Sequence, residues 1–317
     1  MAEVKLFSFF IITYKRFDGV IDTLESLFQQ DYPRIELIIS DDGSSNYYDE
    51  IGSIKEFIDL HKSDNIEEII YSHLEKNQGT VKNINNAIRV SHGDYLKGLG
   101  GGDVLAEKDS ITKYVEYLES NDCKIVFGKM MGIRPTGEKV KHLASSEEDY
   151  EMLSALSPEQ LCNRLYKRNC LPAPAWCAKK SLFIENGLFI EDANLIEDYP
   201  YWLKLCRNGE RIGFMDRVQI LYKLDGVSSA GSYGELFMKD MFIIYEKHIF
   251  PYDKRFGIFQ PFYNRLKRLG LEAYMEKARW ASYNNREKFK AYLKYGLFFA
   301  YINWENKKTE RKNQGDK

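Results

Sequence analysis

Leu6-Phe-Ser-Phe-Phe-Ile-Ile-Thr13 is an unbroken apolar and β-branched run that stops abruptly at polar residues. A run of that length and composition predicts a strand buried on both faces, as in a parallel sheet covered by helices. The pattern then repeats along the chain. Asp18 to Gln30 has helical spacing through Val20, Ile21, Leu24, Leu27 and Phe28, and Asp31-Tyr-Pro33 ends it. A second buried strand is predicted over 35–40, a helix over 46–61, and a third strand over 68–72. Asn77-Gln-Gly79 turns into a helix carrying Ile84, Ala87, Ile88 and Val90. A fourth strand over 95–99, a helix over 110–119 and a strand over 124–127 continue the alternation. Strand–helix alternation with short links predicts an α/β fold with a mostly parallel, doubly wound sheet flanked by helices.

Three of these strands end in polar or glycine clusters: Thr13-Tyr14, Asp41-Asp42 and Gly100-Gly-Gly-Asp103. In such a sheet the carboxyl ends lie side by side, and ligands bind along that edge. Glycine lets the backbone approach a ligand closely, although glycine clusters also mark plain turns. No G-x-G-x-x-G follows the first strand and no G-x-x-x-x-G-K-[ST] occurs, which disfavours a dinucleotide fold or a P-loop.

Five cysteines form no C-x-x-C pair, and five histidines form no H-E-x-x-H cluster. Reduced thiols in a cytoplasmic setting are expected, with neither a disulfide framework nor a zinc site. Met1 to Lys5 leads straight into a strand-like run and does not read as a signal peptide. The net charge of −2 hides an asymmetry. From Glu246 to Lys317 there are 17 Lys and Arg against 8 Asp and Glu, a net of +9, so the remainder carries −11. A basic, aromatic tail suits an anionic membrane leaflet; the same lysines also suit solvated amphipathic helices. Residues 128–192 are mixed, with Met131 to Glu138 reading as a hairpin or loop, and past 235 the pattern is helical. Tyr292 to Trp304 is apolar but contains Lys294 and is too short to span a bilayer. It suits the membrane interface. Lys307 to Lys317 reads as a disordered polar end.

Several segments in order carry a family resemblance. They are Ile11-Ile-Thr-Tyr-Lys-Arg16, Ile38-Ile-Ser-Asp-Asp-Gly-Ser44, Asn77-Gln-Gly79, Gly93-Asp-Tyr-Leu96 running into Asp103-Val-Leu105, Glu197-Asp198 with Trp202-Leu203, and Tyr222-Lys-Leu-Asp-Gly-Val-Ser228. Over residues 5–228 the chain resembles a family 2 glycosyltransferase of the GT-A (Rossmann-like) fold, of the bacterial surface-polysaccharide type. The resemblance implies a transferase domain over 1–232, with a nucleotide-sugar half at 1–105 and an acceptor half at 106–232. A basic, aromatic helical region at 233–317 follows.

The resemblance implies an inverting transferase that uses a nucleotide-diphosphate sugar, expected to be UDP-linked, with Mg²⁺ or Mn²⁺. The acceptor is expected to be a glycan or lipid-linked glycan, at the inner face of the cell membrane. Thr13, Tyr14 and Arg16 would frame the nucleotide. Asp41, with Asp42 beside it, would accept a hydrogen bond from the base, and Asn77, Lys82 and Gly102 complete the expected donor contacts. Asp198 would be the catalytic base, with Glu197 beside it. A carboxylate within reach of the acceptor hydroxyl can take its proton. Asp-Asp-Gly-Ser is equally a turn and N-cap sequence, and both acids at 197–198 also complement a helix N-terminus.

The chain departs from the family in three places. Gly100, Gly101 and Gly102 stand where acids often occur, leaving Asp103 as the expected metal ligand, with Asp225 in the place of a family histidine as a second. Ile84 stands where a basic residue is common. Two alternatives remain: a catalytically inactive nucleotide-sugar-binding protein, and a nucleotidyltransferase, whose glycine-rich basic loop is missing from Thr13-Tyr-Lys-Arg16.

Overall fold

The computed structural model describes residues 4–133, 137–140, 150–224 and 234–315. The chain forms two compact units, Met1–Ser229 and Ala230–Lys317.

In the first unit the predicted alternation is present as β1 (Phe7–Thr13), α1 (Val20–Phe28), β2 (Ile35–Asp41), α2 (Tyr47–His61), β3 (Ile66–His73), α3 (Thr80–Val90) and β4 (Tyr95–Gly100). Then come β5 (Val104–Leu105), α4 (Ser110–Ser120), β6 (Ile125–Ile133), β7 (Lys139–Val140), α5 (Tyr150–Ser154), α6 (Pro158–Leu165), β8 (Trp176–Lys179), α7 (Lys180–Asn186), α8 (Asp198–Arg207) and β9 (Ile212–Lys223). Among the described residues nine strands make one sheet, ordered β3-β2-β1-β4-β8-β6-β9-β5 with β7 on β6.

β1 and β2 are the buried strands their composition predicts: every residue of β2 and all but Ile12 of β1 are buried. Each buried Phe, Leu or Ile contributes about 1.5–3 kcal/mol. β3 lies at the edge and exposes Glu67 and Glu68, charges that discourage further strand pairing. The doubly wound expectation holds for β1 to β4, which are parallel. Beyond β4 the sheet is mixed: β8 runs antiparallel to both β4 and β6, while β6 and β9 are parallel. The antiparallel joins come from short elements at 173–179, which periodicity does not resolve. At either end of the stretch read as a hairpin or loop, Gly132 pairs with Val140 and Ile133 with Lys139, antiparallel. Because β4 is bonded to β8 and β5 to β9, the segments before and after residue 105 share one sheet.

α3 packs on β1 and β2 through polar as well as apolar residues. Asn83 Nδ2 donates to Ser40 O at 3.1 Å, and Ser40 Oγ donates to Asn83 Oδ1 at 2.6 Å. Asn86 Nδ2 reaches Ser40 Oγ and Ser72 Oγ. Every one of these groups has a partner, so buried Asn83 and half-buried Asn86 align the helix without the cost of orphaned amides.

The second unit contains α9 (Glu235–Ile244), α10 (Gln260–Ala278) and α11 (Asn285–Gly315). Its core is Ala273, Ala291, Tyr295, Phe299 and Ile302. The polar end expected to be disordered continues α11 as far as Gly315. Among the described residues no helix is long and apolar enough to cross a membrane.

Candidate active site

The parallel register sets Thr13, Asp41 and His73 side by side at the carboxyl edge, with Ile12 against Gly100 on the other flank. The predicted convergence of strand ends is therefore present, and His73 joins it.

Asp41 is fully buried. Oδ1 accepts from Thr13 Oγ1 at 3.0 Å and Ser44 Oγ at 2.5 Å. Oδ2 accepts from Ser44 N at 2.8 Å and lies 2.8 Å from His73 Nδ1. Four partners occupy the lone-pair positions of one carboxylate. Asp41 thus knits the ends of β1, β2 and β3 together, and the hydrogen bond expected from a base finds no open acceptor on it. The His73 ring also stacks on Tyr47 at 4.1 Å between centroids. Asp42 is buried too, accepting the N–H groups of Gln78 at 2.8 Å and Gly79 at 2.9 Å. These bonds fix the turn into α3, where Gly79 has φ +95°. Burial raises the Asp42 carboxyl above its usual range.

Tyr14 is 41% exposed at the end of β1. Lys15 follows in a left-handed conformation, φ 59°, held by its N–H on Ser44 Oγ at 2.7 Å. Arg16 is exposed and pairs with Asp18 at 3.4 Å. Asn77 and Lys82 are exposed before and in the first turn of α3, while Ile84 is buried.

The glycine run after β4 is a close-packed loop. A Cβ on Gly19 would stand 2.7 Å from Gly102 Cα, so the start of α1 meets this loop backbone to backbone. Thr23 Oγ1 accepts Gly102 N–H at 2.9 Å and donates to Asp103 O at 2.8 Å. Gly102 has φ +107°, which disfavours any side chain. Asp103 Oδ1 accepts the Lys223 N–H at 3.1 Å, tying the loop to the end of β9. Hard divalent ions take a few carboxylate oxygens and complete their shell with phosphate oxygens and water. The single carboxylate of Asp103 fits an ion held in that way. Asp225 lies outside the described residues. Among those residues, the grouping of possible ligands Glu36, Glu68 and His92 sits at the opposite edge of the sheet, where β2 and β3 begin. Glu36 is bonded there to Ser8 and His92.

Glu197 and Asp198 stand at the N-terminus of α8, as the Tyr199-Pro200 signal predicts. Glu197 lines a cavity with Ile12, Ile84, Gly98, Gly100 and Trp176. The cavity therefore joins the carboxyl edge of β1 and β4 to Glu197, the residue before Asp198. Asp198 is 7% exposed, and its Oδ2 accepts from Asn169 Nδ2 at 2.7 Å. Burial raises both acids. The Asp198 charge raises Glu197 further, and the Asn169 amide holds Asp198 back. Trp176 is buried against Phe183, Phe189 and Trp202, so the indole is a core group with an edge on the cavity. Asn169 and His73 went unread in the sequence. Nothing local marks Asn169, 29 positions from Asp198. His73 is one residue past the predicted end of its strand.

A mostly parallel sheet with helices on its faces, a polar carboxyl edge and an acid pair at a helix start near that edge define a GT-A glycosyltransferase fold. The fold is shared with Staphylococcus aureus TarS 1–349 in complex with UDP-GlcNAc, at TM-score 0.58 and 18% identity, covering 92% of this chain and 80% of that one. It is shared equally with the mannosyltransferase PcManGT from Pyrobaculum calidifontis in complex with GDP-Man and Mn²⁺, at TM-score 0.59 and 14% identity, covering 96% and 84%. Residues 8–178, more than half of the chain, match Glycosyl transferase family 2, and the chain belongs to that family. A curated relative is the putative teichuronic acid biosynthesis glycosyltransferase TuaG of Bacillus subtilis, 30% identical over 115 residues, or 36% of this chain and 42% of that protein. The chain spans 27% of the length of a bifunctional glycosyltransferase of Dictyostelium discoideum that it also matches.

Proposed function

We propose that this protein is an inverting glycosyltransferase that moves a sugar from a UDP-sugar to a hydroxyl of a glycan or lipid-linked glycan. The observation that carries the reading is Asp198: a buried acid at the start of α8, oriented by Asn169 and next in the chain to Glu197, which lines the cavity reaching the carboxyl edge of β1 and β4. The acceptor oxygen attacks the anomeric carbon, the bond from that carbon to the diphosphate oxygen breaks, and the hydroxyl proton passes to the Asp198 carboxylate. A base whose acidity is weakened by burial is better matched to neutral pH than an ordinary Asp. Glu197, raised further, holds a proton and orients the acceptor.

Thr13, Tyr14, Arg16, Asn77 and Lys82 contact the nucleotide in this reading. Asp41 and Asp42 act through the loops they hold, and the Gly102 backbone approaches the donor. Asp103, with Asp225, would hold Mg²⁺ or Mn²⁺, and an ion there would supply positive charge for a leaving diphosphate. A uridine donor is supported by the UDP-GlcNAc bound to TarS, and a surface polysaccharide by the name of TuaG. The site of action in this reading is the cytoplasmic face of the membrane.

A panel of nucleotide sugars tested for thermal stabilisation, with and without Mn²⁺, checks the donor, since a ligand of the native state raises its stability. Release of UDP with an acceptor glycan, lost in Asp198→Asn, is the expected result. UDP release unchanged in Asp198→Asn would overturn the assignment of the base.

A further inference from the structure

α11 buries one face in the core of its unit, through Ala291, Tyr295, Phe299 and Ile302. Its other side is apolar as well. Phe289 is 63% exposed, Tyr292 62%, Leu293 71% and Leu297 89%. Phe289, Leu293 and Leu297 recur every fourth residue, so they share one stripe of the helix. Arg286 and Lys290 are exposed at the same four-residue spacing along that stripe. No acid interrupts the positions 286, 289, 290, 293 and 297.

From these residues we infer that this face of α11 lies on an anionic phospholipid bilayer, parallel to its plane. The leucines and Phe289 enter the acyl boundary, while Arg286 and Lys290 extend to the headgroup phosphates. Charge complementarity selects a lipid surface over a second copy of the chain. Two such stripes face to face would set Arg286 and Lys290 against each other if parallel, or against Leu293 and Leu297 if antiparallel, with no acid on the stripe to meet them. The surrounding segment, Glu246 to Lys317, is also strongly basic, at net +9, which favours an anionic leaflet. The inferred contact lies in the plane of the leaflet, and no helix among the described residues is long and apolar enough to cross a bilayer. It deepens the reading of a lipid-linked acceptor, yet it is tested without donor or acceptor and therefore stands or falls separately from glycosyl transfer.

The test is co-sedimentation of the full chain with vesicles of phosphatidylcholine alone or mixed with phosphatidylglycerol. The wild type is expected to bind the mixed vesicles at least about tenfold more tightly than the neutral ones, and to lose most of that preference at about 0.5 M NaCl. Leu293→Glu with Leu297→Glu is expected to abolish binding while circular dichroism and the melting temperature stay unchanged. Arg286→Ala with Lys290→Ala, which leaves every apolar group in place, is expected to weaken binding to the anionic vesicles alone. Equal binding by wild type and the leucine variant would overturn the proposal. So would absence of vesicle binding together with a concentration-dependent dimer that the leucine variant dissociates, which would make the stripe a self-association surface.

Discussion

Asn169 Nδ2 donates to Asp198 Oδ2 at 2.7 Å, while its own Oδ1 accepts the Leu171 N–H at 3.2 Å. The amide is held by its own loop and in turn fixes the acid at the start of α8. It also favours the charged form of Asp198, opposing the burial that disfavours it.

Asn169→Ala should raise the Asp198 pKa further. A base acts only when deprotonated, so the acid limb of the kcat–pH profile should move to higher pH. Asp198→Asn should lower kcat by about 10²–10⁴-fold. Thermal stabilisation by the donor should persist in both.

Glu197 keeps its proton while Asp198 titrates, so Glu197→Gln removes no charge there and should leave the acid limb in place. Stability, by contrast, should respond. Folded Glu197 keeps its proton above the usual carboxylate range, whereas the unfolded chain releases it within that range. The folded state then binds more protons, and stability falls as pH rises through that window. Melting temperatures from pH 4 to 9 should decline less in Glu197→Gln than in the wild type; parallel curves would contradict the assignment.

Asp41→Ala should strip partners from Thr13, Ser44 and His73 at once. With about 1–3 kcal/mol for each buried group left unsatisfied, a loss of about 3 kcal/mol or more is expected in urea unfolding. Ser44→Ala, removing one hydroxyl, should cost about 1 kcal/mol.

Lys97 is fully buried in β4 and donates to Gly98 O and Pro174 O, both at 2.6 Å. Burial pushes its ammonium down to about 7, against the opposing pull of Cys177 and Asp103. Between there and the ordinary value of 10.5 the unfolded chain holds a proton that the folded chain lacks, so stability should rise with pH. The melting temperature of the wild type should climb from pH 7 to 9 relative to that of Lys97→Met.

Chelation by EDTA should suppress turnover, and added Mn²⁺ should restore it in the wild type more fully than in Asp103→Asn. Equal restoration would remove Asp103 from the metal site.

The apolar runs at 6–13 and 35–40 and the helical spacing at 18–30 made β1, α1 and β2 legible, because strands buried on both faces admit little but apolar residues. The place of Asp198 at the start of a helix was legible because proline tolerates a first helical turn. Lys97 stood in view as a charge within an apolar strand, yet only its partners Gly98 and Pro174 explain it. Asn169, His73 and Thr23 carry no local signal, since their roles depend on residues 29, 32 and 80 positions away.

The sequence by itself determined the order of strands and helices from β1 to β4, the polar carboxyl edge and the basic character of the tail, because periodicity and composition are local properties. Only the tertiary structure decided that β8 runs antiparallel between β4 and β6, that Asp41 is enclosed by four donors, that Asn169 holds Asp198, and that α11 leaves an apolar stripe uncovered. Each of these depends on which distant groups meet once the sheet closes, and hydrogen bonding and burial are set by those meetings.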